Sequence, residues 1–102
     1  MSSASFIGYI GDADFHDGSI QAIEEQGAIV RVRIRGASGR MHLVEFQRTQ
    51  AVRANQPEGM MLYALSEFAL EPPLRKFVFA NWEENSAAYL EVDAENVSFR
   101  LG

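Results

Sequence analysis

Residues 28–35 read Ala-Ile-Val-Arg-Val-Arg-Ile-Arg, and this stretch decides the fold. Val30, Val32 and Ile34 alternate with Arg31, Arg33 and Arg35. A period of two sends successive side chains to opposite faces of an extended chain, so aliphatics line one face and guanidinium groups the other. The next four residues, Gly36-Ala37-Ser38-Gly39, are a turn signal. Met41 to Arg48 then returns as the second arm of a hairpin. With Arg35 opposite Met41, Arg31 meets Glu45 on the wet face, while Val44 and Phe46 meet Val32 and Val30 in the core. A slip of one residue would bury Glu45, which sets the register.

Outward from this hairpin, the chain is a run of short strands separated by turn chemistry. Ser19 to Glu24 is a first strand, closed by Gln26-Gly27. Gln47 to Arg53 continues the hairpin arm after a bend, and residues 55–59, Asn-Gln-Pro-Glu-Gly, make another turn. Met60 to Leu70 is apolar on both alternating faces, as in a strand buried on both sides, although Met, Ala, Leu and Glu also favour helix. Pro72-Pro73 ends it. Arg75 to Trp82 is a strand with Phe77 and Phe79 on one face and Val78, Ala80 and Trp82 on the other. Ala87 to Val92 and Val97 to Leu101 read as a closing pair, with Leu90, Val92, Val97, Phe99 and Leu101 inward. The expected fold class is all-β, an antiparallel meander forming a sandwich or a curved barrel-like sheet, in one domain spanning residues 1–102. The alternative is α+β, with one short helix near residues 60–70.

Composition bounds the function. The chain has 102 residues, 47% hydrophobic and 23% charged, as in a folded globular domain. It has no cysteine, which excludes disulfides, thiolate metal sites and cysteine nucleophiles. The first residues carry no basic and apolar leader pattern, and no apolar run approaches the roughly 20 residues needed to span a bilayer. A cytoplasmic, bacterial-type address is expected. The net charge of −5 opposes affinity for nucleic acid or anionic membranes. The charge is segregated: residues 12–25 carry five acids and no Lys or Arg, residues 31–53 six arginines and one acid, and residues 83–95 five acids and no Lys or Arg.

Four places could carry chemistry. Asp12, Asp14, His16 and Asp17 form a loop of oxygen and imidazole donors that suits a metal ion. Its opening Asp-x-Asp resembles a calcium loop, but Gly18 comes one position late and Ile23 stands where the bidentate Glu belongs. The same residues also suit a turn held by Asx hydrogen bonds. His16 could serve as a general base with Asp14 or Asp17 orienting it, but Ser19 and Ser38 sit in no nucleophile elbow, and His42 falls on an aliphatic strand face. Arg31, Arg33 and Arg35 repeat about every 6.7 Å and could meet an acidic partner. Trp82 with Glu83 and Glu84 could grip a cationic one. No glycine-rich phosphate cradle is present, so no cofactor is expected.

Residues 14–20, Asp-Phe-His-Asp-Gly-Ser-Ile, are followed by a Gly-containing turn and the strand Ile29 to Ile34. This resembles the opening of small bacterial β-rich domains, several of them grouped with immunity proteins that neutralise polymorphic toxins. Residues 75–83, Arg-Lys-Phe-Val-Phe-Ala-Asn-Trp-Glu, are similar to their C-terminal half. The resemblance implies a β-rich fold and a protein partner, and it carries no catalytic residue onto this chain. The function expected is a non-catalytic protein-interaction module, immunity-like, with Arg31, Arg33, Arg35, Trp82 and Glu83 as partner-binding residues. A small-ligand or metal-binding domain using the Asp12–Asp17 loop, or a small enzyme using His16, are the alternatives. Met60 to Leu70 and the complementary charge blocks also suit a homo-oligomer.

Overall fold

The alternation of residues 29–35 holds in the computed structural model, which describes residues 5–83 and 85–102. Ile29–Arg35 is strand β3, and Val30, Val32 and Ile34 are buried. Before it lie β1 (Ser5–Ile10), a 3-10 turn (Ala13–Phe15) and β2 (Ser19–Gln26). After it come β4 (Met41–Asn55), β5 (Leu62–Ala69), β6 (Arg75–Asn81) and β7 (Tyr89–Leu101). The protein is all-β. Seven strands form one antiparallel sheet in the order β1-β5-β6-β7-β4-β3-β2.

The expected hairpin register is observed. Arg35 opposes Met41, Arg31 opposes Glu45, Val32 opposes Val44 and Val30 opposes Phe46. Residues 62–69 form a strand, with Leu62 and Leu65 fully buried, and the helical alternative there falls away. β4 does continue beyond residue 47, through a bend where Arg48 takes a φ of 54° and a bulge between Thr49 and Ala51.

Two elements differ from the sequence expectation. Residues 5–10 form a strand that the sequence did not announce. Residues 89–101 form one strand paired along β4, not two strands paired with each other. The ladder to β4 runs on through Asp93, Ala94 and Asn96, and Asp93 and Glu95 meet Arg53 Nη2 at 2.7 Å and Arg48 Nη1 at 3.7 Å on the neighbouring strand. Phe99 and Leu101 are exposed rather than inward, at 41% and 61%. β6 covers β7 only along residues 90–94, and the rest of β7 pairs with β4 alone.

The sheet curls until its two ends approach. Ile20 N donates to Met60 O at 3.1 Å, Leu62 N to Gly18 O at 2.8 Å, and Gly59 N to Ile20 O at 2.7 Å. The start of β2 is thus stitched to the chain entering β5. The inward faces enclose one core of Ile20, Val30, Val32, Ile34, Val44, Phe46, Leu62, Leu65, Phe77, Phe79, Leu90 and Val92. Phe15, presented by the 3-10 turn, adds to it at 2% exposure. Within the run 60–70, Met60, Leu62 and Leu65 are buried, while Met61 and Tyr63 stay exposed on the outer face. No helix among the described residues is long and apolar enough to cross a membrane.

Candidate functional site

The loop between β1 and β2 holds the residues nominated for metal or catalysis, and each has a separate partner. Asp12 caps the 3-10 turn, its Oδ1 accepting from Asp14 N at 2.8 Å. Asp14 reaches across to the turn between β3 and β4. Its Oδ1 accepts from Ser38 N at 2.9 Å. Its Oδ2 accepts from Ser38 Oγ at 2.7 Å and from His42 Nε2 at 2.8 Å. His16 Nδ1 donates to Tyr63 O at 3.0 Å. Asp17 adopts a φ of 67°, and its N–H donates to Leu62 O at 3.0 Å. The four side chains do not converge, and among the described residues no group of three or more His, Asp or Glu is placed to hold a metal ion.

Ser38, Asp14 and His42 contain the three residue types of a catalytic triad in the wrong order. The serine hydroxyl donates to the carboxylate, not to the imidazole, so no base is placed to take its proton. His42 is 6% exposed and packs edge-on to Phe15 at 5.2 Å. The cluster is a clasp that fixes the 3-10 turn against the β3–β4 turn.

The two Ser38 hydrogen bonds and the His42 hydrogen bond hold the Asp14 carboxyl down at about 2, from an ordinary 3.8. A carboxyl depressed in the folded state favours folding above its unfolded pKa, and that contribution disappears as pH falls through the folded value. The clasp is expected to hold above pH 3.8 and to open as pH drops toward 2. Glu45, bonded by Gln47 and Arg31, and Glu67, bonded by Arg75, shift in the same direction, so overall acid stability falls with it. Carboxyl 13C shifts isolate Asp14: a midpoint at 3.8 would contradict the clasp.

The arginine face is largely self-neutralised. Arg31 Nε lies 2.9 Å from Glu45 Oε1, and Arg33 Nε lies 3.5 Å from Glu24 Oε1. Arg35 is exposed and meets no carboxylate within ion-pair distance among the described residues. Arg35 opposes Ser19, Ser19 bridges to Met61, and Met61 O accepts from Trp82 N at 3.0 Å, so where the sheet curls together the end of β3 approaches the chain that carries Trp82 and Glu83. Glu83 N–H turns back to Asn81 Oδ1 at 2.8 Å. Glu84 lies outside the described residues.

Trp82 instead belongs to an assembly that sequence reading missed. Pairing of β1 with β5 lays Phe6 opposite Phe68 and Tyr9 opposite Ser66 on the outer face. Ring contacts then run Phe68 to Phe6 at 5.5 Å, Phe6 to Tyr9 at 5.1 Å, Tyr9 to Tyr63 at 5.9 Å and Tyr63 to Trp82 at 5.5 Å. Most of these meet edge to face, the geometry that aromatic quadrupoles favour. His16 fills the angle, 5.2 Å from Tyr63 and 5.3 Å from Trp82. The band stays exposed: Phe6 at 52%, Tyr9 at 61%, Tyr63 at 40% and Trp82 at 43%. At roughly 200 Å² per ring side chain, these four leave about 400 Å² of largely apolar surface in water. A cleft of about 340 Å³ opens beside the band, between residues 10–13 and 63–65, with Tyr9, Phe15 and His16 among its walls. Asp12 lines this cleft, Asp17 follows His16 and Glu83 follows Trp82 in the chain, and all three carry negative charge. Comparison with family models, with curated proteins and with solved structures returned no match for this chain.

Proposed function

We propose that this chain is a non-catalytic protein-binding module whose contact surface is the band Phe6, Tyr9, Tyr63, His16 and Trp82. The observation that carries the reading is that these rings contact one another outside the core and stay exposed, Phe6, Tyr9, Tyr63 and Trp82 at 40–61%. A contiguous apolar patch of about 400 Å² is on the scale of the largest patch of a typical monomer, which is often functional, and Tyr and Trp are among the side chains that most often anchor interfaces. The acids Asp12, Asp17 and Glu83 favour a partner with basic groups around an apolar centre, and would steer its approach. An immunity-type role, in which such a module covers a toxin domain, is the specific form of this reading that the sequence resemblance supports.

The test is comparative capture from lysate with three immobilised proteins: wild type, Tyr63→Ala/Trp82→Ala, and Arg33→Ala/Arg35→Ala. The expected result is one partner that binds wild type and the arginine variant, and is lost from the aromatic variant by a factor of about 30 or more. Equal retention on all three would overturn the choice of surface.

The cleft gives a small-ligand reading one observation in its favour. His16 Nδ1 donates to Tyr63 O, which orients the ring, and His16 and Asp12 both line the cleft with polar groups. Fragment-induced amide shifts confined to Tyr9, His16 and Tyr63 would support it, and an absence of such shifts would remove it.

A further inference from the structure

We propose that β1 is a self-pairing edge: Ser5–Ile10 of two copies align antiparallel about a two-fold axis and join two sheets into one. β1 stands at the end of the sheet, with β5 on one side and, among the described residues, no strand on the other. Its remaining backbone N–H and C=O groups form a template for another strand.

The charge distribution selects the occupant. The chain carries −5, so two copies repel wherever their acidic surfaces meet. β1 reads Ser-Phe-Ile-Gly-Tyr-Ile and has no charge at all. Natural edges are blunted by charged side chains, proline or bulges. The strand at the other end, β2, obeys this: it carries Glu24 and Glu25, and its start is already bonded to the chain entering β5. β1 has only a bulge at Ile7, which has no partner in β5. That bulge leaves Gly8, Tyr9 and Ile10 in regular ladder and turns out an apolar knob, Ile7, at 58% exposure.

Size sets the strength. Phe6, Ile7 and Tyr9 together offer roughly 350 Å² per copy at about 200 Å² per side chain, hence about 700 Å² for the pair. That is less than half a standard interface of about 1,600 Å², the size of a weak, transient contact, so the dimer is reversible. A two-fold axis perpendicular to the sheet keeps both outer faces on one side. The two aromatic bands then lie side by side, with Phe6 and Tyr9 at the seam and Tyr63, His16 and Trp82 of each copy outside it. The edge pairing itself stands whether or not a binding partner exists.

Sedimentation velocity over a concentration series tests the pairing, with wild type, Ile7→Lys and Tyr63→Ala/Trp82→Ala. Wild type is expected to shift from monomer to dimer, and amides of residues 5–10 to gain exchange protection as concentration rises. Ile7→Lys is expected to remain monomeric with an unchanged melting temperature, because Ile7 is mostly exposed. The aromatic variant is expected to dimerise normally. A wild type that stays monomeric overturns the proposal, as does a dimer untouched by Ile7→Lys. Neither result bears on partner capture, which Tyr63→Ala/Trp82→Ala reads separately.

Discussion

Replacing Phe46 with alanine is expected to cost about 3–5 kcal/mol of folding stability, the largest effect of any substitution considered. Phe46 is fully buried, with its ring 5.0 Å from Phe77 and 5.9 Å from Phe79. Its strand β4 pairs with β3 on one side, where Val30 is its neighbour, and with β7 on the other, where Val97 is. The side chain therefore links the hairpin that the sequence announces to the opposite wall of the curled sheet. Removing it opens a cavity that close-packed rings fill only in part. A domain of this size holds about 5–15 kcal/mol in all, so roughly a fifth of the margin or more goes. Urea denaturation measures the loss through the midpoint at constant slope. Phe99→Ala is the control: the same deletion at 41% exposure is expected to cost well under half as much. Equal costs would contradict the placement of the core.

Gly36→Ala is expected to cost about 1–3 kcal/mol, the range for forcing extra volume into a packed site. A Cβ here would run into the Asp14 carboxylate, at Oδ2 and Cγ, and would come within 3.0 Å of the Asp14 backbone oxygen. The glycine is needed for close approach, since only a bare Cα lets the 3-10 turn lie against the β3–β4 turn. Displacing Asp14 unseats three hydrogen bonds at once, from Ser38 N, Ser38 Oγ and His42 Nε2. Two readouts should move together: the denaturation midpoint falls, and the Asp14 carboxyl pKa climbs from about 2 toward 3.8. A variant that loses neither would show that the clasp does not hold the loop.

What sequence reading could reach follows from where polarity alternates. In β3 and β4 one face is aliphatic and the other charged, so strand, face and register are all recoverable, down to the Arg31–Glu45 pair now seen at 2.9 Å. β1 offers no such contrast. Phe6, Ile7 and Tyr9 are all apolar, and the bulge at Ile7 breaks the period of two. β7 was hidden for the opposite reason: Asp93 and Glu95 look like turn chemistry until Arg53 and Arg48 of the neighbouring strand are placed beside them. The loop at residues 12–17 is similar. Four donors in six residues suggest one ligand, yet Asp14 answers to Ser38 and His42, 24 and 28 residues away. The aromatic band is wholly tertiary. Tyr9 and Tyr63 are separated by more than half the chain, and only the β1–β5 pairing sets their rings 5.9 Å apart.

The most direct test of the central claim is a calorimetric titration of the captured partner into wild type and Tyr63→Ala/Trp82→Ala, with urea denaturation of both run in parallel. The account predicts that affinity falls by a factor of about 30 or more, while folding stability stays within about 1 kcal/mol, as expected for exposed side chains. Unchanged affinity, or a loss of affinity that merely follows a loss of folding, would contradict it.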